Sequence, residues 1–107
     1  MKHDSIRIED ACTRDAGRRE ALALRCEARQ GTREWQTVRL EEISQAGFRI
    51  GRLPAAVHLD EPLRIRIPGL QVLTARIRWQ DGEVIGCEFA RPLHVAVFDH
   101  IVRQARG

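Results

Sequence analysis

Two short groups of residues have the types and spacing to hold an anionic or hydrogen-bonding ligand: Arg14-x-x-x-Arg18-Arg19 and Glu42-x-Ser44-x-x-Gly47. Arginine presents a planar fork that grips phosphates bidentately and stacks on flat rings. In a polar segment with no sustained periodicity, Arg14, Arg18 and Arg19 are free to fold over a polyanion; in a helical turn, Arg14 and Arg18 would share a face. Glu42 supplies an acceptor-only carboxylate. It stands two residues from Ser44, on the same side of an extended chain. The Ser44 hydroxyl can bond nearby backbone or a ligand oxygen. Gly47 stands where a turn often needs positive φ, which glycine adopts without steric cost. A second Arg-x-x-x-Arg, Arg25 and Arg29, lies inside an alternating strand pattern with both side chains outward, and is set aside.

The elements that must position these residues read as β-strands. Leu22, Leu24, Cys26 and Ala28 alternate with polar neighbours, and Gln30-Gly31-Thr32 then turns the chain. A second strand runs from about residue 34 to 43. Ser44-Gln45-Ala46-Gly47 links it to a third, in which Phe48 and Ile50 alternate with Arg49. The pattern breaks from Arg52 to Ala56. A fourth strand carries Leu63, Ile65 and Ile67 and stops at Pro68-Gly69. A fifth, residues 71–80, places Leu73, Ala75, Ile77 and Trp79 on one side. Asp81-Gly82 predicts a type I′ hairpin turn. Ile85, Cys87 and Phe89 share a face of the sixth strand. The period then changes to 3.6, with Leu93, Val97, Phe98, Ile101 and Val102 forming one stripe of an amphipathic helix about 12 residues long. The expected fold is all-β: a six-stranded antiparallel barrel over residues 20–107 with a C-terminal capping helix, preceded by a flexible arm over 1–19.

Composition narrows the function. At 107 residues there is room for one core, and 43% hydrophobic residues argue against disorder. No apolar run approaches the roughly 20 residues of a membrane span, and Met1–Arg7 lacks the apolar stretch of a secretory signal. Membrane insertion is not expected, and the expected location is cytoplasmic. Cys12, Cys26 and Cys87 are odd in number and widely spaced, with no His at metal-ligand spacing, which argues against a disulfide scaffold or a zinc site. Cys26 and Cys87 read as small buried hydrophobes. His3, His58, His94 and His100 have no phased Ser, Cys or Asp partner, and no glycine-rich phosphate loop precedes a helix; catalysis is not expected. The net charge is +3, with Arg supplying all the positive side chains but Lys2.

The ordered set of motifs resembles the PilZ domain family. Arg14-x-x-x-Arg18 with Arg19 adjacent is similar to the arginine motif ahead of that family's first barrel strand. Glu42-x-Ser44-x-x-Gly47 is similar to its Asp/Asn-x-Ser-x-x-Gly signature, with Glu42 where the family usually has Asp or Asn. Arg76-Ile77-Arg78-Trp79 followed by Gly86-Cys87-Glu88-Phe89 looks like its late hairpin. The resemblance spans roughly residues 14–103. It implies the barrel fold and a stand-alone bacterial receptor for cyclic di-GMP, bound as a ligand without metal. It also implies relay of that signal to a protein effector as the arm orders over the ligand. Arg14, Arg18 and Arg19 would contact guanine edges and phosphates, because an Arg fork pairs with guanine O6 and N7. Glu42 would accept from the opposite guanine edge, Ser44 would bond phosphate or base, Gly47 would let the ligand approach, and Trp79 would pack on a guanine. Two other readings stand beside this one. A degenerate adaptor, motivated by Glu42, would bind no nucleotide and act by protein contact. A small barrel binding single-stranded nucleic acid would need outward aromatics among basic residues; with most aromatics read as inward, no stacking platform is expected.

Overall fold

The computed structural model describes residues 19–52 and 56–106. Six strands are formed: β1 (Glu20–Arg29), β2 (Gln36–Ile43), β3 (Gly47–Gly51), β4 (Pro62–Arg66), β5 (Val72–Asp81) and β6 (Val84–Phe89). One helix, α1 (Val95–Arg106), follows. The strands close into an antiparallel barrel in the order β1-β2-β3-β6-β5-β4. Closure removes the unpaired edges that an open sheet of this size would expose. The expected all-β barrel with its C-terminal helix is therefore the observed fold. Residues 1–18, which make up all of the expected arm but Arg19 and include Cys12, Arg14 and Arg18, lie outside the described residues.

The alternating apolar residues meet in one core. Leu40, Ile43, Ile50, Ile65, Ile67, Ile85 and Ile101 are fully buried, and Phe48 packs on Phe89 with ring centroids 4.9 Å apart. Helix α1 closes the barrel with Phe98, Ile101 and Val102, and Leu93 joins them just ahead of it. Each such side chain contributes about 1.5–3 kcal/mol by area burial. Cys26 and Cys87 lie in this core, and burial pushes both thiols up to about 12.

Three β-bulges interrupt the ladders. They fall between Ala21 and Leu24 on β1, between Leu40 and Glu42 on β2, and between Ile77 and Trp79 on β5. A bulge adds one residue to one strand and re-aims the side chains that follow it. Trp79 is the clearest case. Strict alternation puts it inward with Ala75 and Ile77, whereas after the bulge it lies outside, 42% exposed. Two local corrections follow the same hairpins. Asp81 pairs with Val84, so Gly82 and Glu83 form the loop; of these only Gly82 has positive φ, 62°, which is the requirement of type II′ and not of the expected type I′. Gly47 is not among the positive-φ glycines; close approach of β6, and not its φ, excludes a side chain there.

Among the described residues, no helix is long and apolar enough to cross a membrane, and no cluster of His, Cys, Asp and Glu could hold a metal ion.

Candidate ligand cleft at the Ser44 turn

The link between β2 and β3 is built by Ser44. Its backbone N–H donates to Gly47 O at 2.8 Å, and its Oγ accepts from the N–H groups of Ala46 and Gly47, each at 3.2 Å. This is the serine's local competition for backbone donors, which favours turns. The side chain is buried. The turn is then fastened to the end of the neighbouring strand β6 and the segment that follows it: Phe89 N–H donates to Ala46 O, Leu93 N–H donates to Gln45 O, and Gln45 Nε2 donates to Leu93 O at 2.8 Å. A corner so tied is a rigid platform.

Gly47 is required by close approach. A methyl group on its Cα would stand 2.2 Å from the carbonyl oxygen of Cys87, where β3 runs against β6. Gly86 is required by the indole of Trp79, which lies flat over it: a methyl there would stand 2.2 Å from Trp79 Cε2. The two glycines thus bring β3, β6 and the tryptophan into contact beside the turn.

The result is a cleft of about 150 Å³, lined by Arg19, Glu42, Ser44, Gly47 and Trp79 together with Arg49, Arg78, Gly86 and Glu88. Of the seven residues singled out in the sequence, these first five converge; Arg14 and Arg18 lie outside the described residues. The β2 bulge matters here. Leu40 pairs with Ile50 and Glu42 with Arg49, so Glu41 and Glu42 together face one residue of β3. Glu42 consequently avoids the inward position that alternation from Val38 and Leu40 would give it.

The cleft carries charge of both signs. Glu42 Oε1 stands 3.9 Å from Arg19 Nη1 and 4.0 Å from Arg49 Nη1. Arg49 Nε is 3.6 Å from Glu41 Oε1, is buried, and has no hydrogen-bond acceptor. Arg78 Nη1 pairs with Glu88 Oε1 at 3.2 Å. Long ion pairs of this kind are weakly held, and such groups can exchange partners at little cost. The arrangement offers guanidinium forks, one carboxylate acceptor and an indole face within one concavity. That set suits a ligand with both acceptor and donor edges and a flat ring.

Arg49, Arg78 and Gly86 were not singled out as site residues by sequence. Arg49 carried a usable signal, since it stands two residues past Gly47 on the outward face of β3. Gly86 carried one too, as an isolated glycine inside a strand pattern often marks close approach.

A family profile described as the PilZ domain matches residues 13–107. No curated protein matches the chain at significant similarity. With that match over nearly its whole length, and with the barrel, the Ser44 turn and the Trp79–Gly86 contact in place, the chain belongs to the PilZ domain family.

Proposed function

We propose that the cleft is a receptor site for cyclic di-GMP, and that residues 1–19 order over the bound ligand and so relay the signal to a protein partner. PilZ domains are generally cyclic di-GMP receptor domains, binding modules and not enzymes. The observation that carries the reading is the convergence of Arg19, Glu42, Ser44, Gly47 and Trp79 on one concavity from separate parts of the chain. Its roles follow from chemistry. Arg19 and Arg49 present forks to guanine O6 and N7 or to phosphate. Glu42 accepts from guanine N1–H and the N2 amino group. Trp79 offers a flat face on which a base stacks. Ser44 acts chiefly by holding the turn, since its Oγ already accepts two backbone N–H groups. Arg14 and Arg18 belong to the division between arm and barrel proposed here, and act as the closing clamp. A cleft of about 150 Å³ is smaller than the ~300–1,000 Å³ of typical ligand pockets, which fits one wall of a site completed by another segment.

The adaptor reading has one observation in its favour. Glu42 stands between Arg19 and Arg49, where it partly neutralises the forks an anionic ligand needs. Calorimetric titration with cyclic di-GMP separates the two readings. Micromolar or tighter binding by the intact chain, lost in Arg18→Ala, supports the receptor. Absence of binding in a folded protein, restored by Glu42→Asp, identifies Glu42 as the lesion. Absence of binding by both contradicts the receptor reading and leaves the adaptor.

A further inference from the structure

A second arginine cluster lies on the barrel wall outside the cleft. Arg25 on β1 and Arg39 on β2 are directly opposed across the ladder, and Arg39 is in turn opposite Gly51, the residue before Arg52. Like charges facing each other across strands are destabilising, so the fold carries Arg25 against Arg39 at a cost. Arg52 adds another cost, because it is the one non-glycine residue with positive φ among the described residues, at 60°. Backbone strain of this kind persists where the surroundings hold it, and such positions cluster at binding sites. The carboxylates on the neighbouring outward positions are already engaged: Glu27 pairs with Arg66 at 2.7 Å, and Glu41 stands 3.6 Å from Arg49. Beyond the backbone ladders, the side chains of Arg25, Arg39 and Arg52 have no ion pair or hydrogen bond with any described residue. The three line one groove of about 390 Å³ with Thr37 and Ala23, and the β1 bulge between Ala21 and Leu24 borders it. Bulges are over-represented beside functional sites.

We infer that this groove is a second anion site, which takes a phosphate group between the forks of Arg25, Arg39 and Arg52. Three arginines lining one groove offer guanidinium forks that suit the oxygens of a phosphate by bidentate contact. The phosphate offsets the repulsion between Arg25 and Arg39. Thr37 supplies a hydroxyl donor at the same groove. The shared chemistry is a phosphate group, either on a soluble molecule or on a lipid headgroup. This site is independent of the proposed cyclic di-GMP cleft.

The test is titration of the full chain with inorganic pyrophosphate, followed by the side-chain Nε–H signals of its arginines. The expected result is saturable shifts at Arg25, Arg39 and Arg52, with affinity reduced ~10-fold or more in the double variant Arg25→Gln/Arg39→Gln. In the absence of pyrophosphate, that variant melts at or above the temperature of the parent, because a like-charge pair has been removed. A second arm replaces pyrophosphate with phosphatidylglycerol vesicles diluted in phosphatidylcholine. Vesicle retention lost in the double variant assigns the phosphate to a headgroup; no retention beside saturable pyrophosphate binding assigns it to a soluble molecule. Shifts spread equally over the exposed Arg64 and Arg103, or pyrophosphate affinity and retention unchanged in the double variant, overturn the inference.

Discussion

The two tryptophans stand on the outside of the same barrel, each among arginines, and their surroundings differ. Trp35 lies just ahead of β2 with Arg29 and Arg66 over its ring, 4.7 and 4.1 Å from the centroid, and Arg66 is fixed in turn by Glu27 at 2.7 Å. Its ring is already occupied by cations. Trp79 lies on Gly86 by one face, is 42% exposed, and borders a cleft whose ion pairs are mostly long. The same residue types therefore make a closed clamp at one place and an open platform at another. The difference comes from the partners: a buried, unmatched arginine Nε stands at each place, Arg29 beside Trp35 and Arg49 in the cleft, but the Trp35 ring is taken by the two guanidinium groups over it, while Trp79 keeps an exposed indole face.

The sharpest way to break the open platform is to fill its floor. Gly47→Ala forces a methyl against the Cys87 carbonyl, a backbone group that cannot swing aside, and should cost about 3 kcal/mol or prevent folding, read by denaturant titration. The tryptophans should then dissociate from each other. Trp35→Ala should lower stability by about 2 kcal/mol through lost burial and cation–π contact and leave cyclic di-GMP affinity unchanged. Trp79→Ala should cost less stability and weaken binding about tenfold, through loss of one base-stacking surface. Equal effects of both substitutions on binding would erase the distinction.

A pH experiment probes the core behind both regions. Cys26 and Cys87 hold their protons up to about 12, against 9.0 for a free thiol, because burial disfavours the thiolate. The raised native value means that stability is complete below pH 9, where both states keep the proton. It declines as the unfolded chain ionises above that, by about 1.4 kcal/mol per thiol per pH unit until the native value is reached. Cys26→Ala should flatten that alkaline decline as well as changing the packing. The smallest effect concerns an exposed ion pair, Arg33 with Glu61. The hydrogen bond from Arg33 Nη1, at 2.8 Å, holds the Glu61 carboxyl below the usual range. In Arg33→Ala, the Glu61 titration followed by NMR should move back toward the ordinary glutamate value, with no measurable change in melting temperature.

Much of this was legible in the sequence. The period-two runs around Cys26, Leu40, Ile50, Ile65, Ile77 and Ile85 located all six strands, and the change of period at Leu93 located the helix. The Ser44 corner was visible because serine and glycine at that spacing make a self-bonded turn. What alternation could not give were the bulges. One extra residue before Trp79 reverses its face, and one beside Glu41 turns Glu42 outward, because the insertion lies in the pairing of two strands and not in either strand's own pattern. The site is built on those two irregularities, so strict alternation fails where the candidate ligand groups are presented. Gly47 was expected for its φ and serves instead as a point of close contact, which depends on a strand about forty residues further on. Gln30, read only as part of a turn, is a buried bridge: its amide donates to the carbonyls of His58 and Glu61 and accepts from His58 N–H. That contact has no local sequence signature.

The central claim is that Trp79, and not Trp35, faces a bound nucleotide. It is tested most directly by following indole fluorescence during cyclic di-GMP titration of the Trp35→Phe protein, in which Trp79 is the single reporter. A saturable change in Trp79 emission that tracks the calorimetric isotherm is the predicted result. Saturating heat with Trp79 emission unchanged, or a response that persists in Trp79→Phe and vanishes in Trp35→Phe, would contradict it.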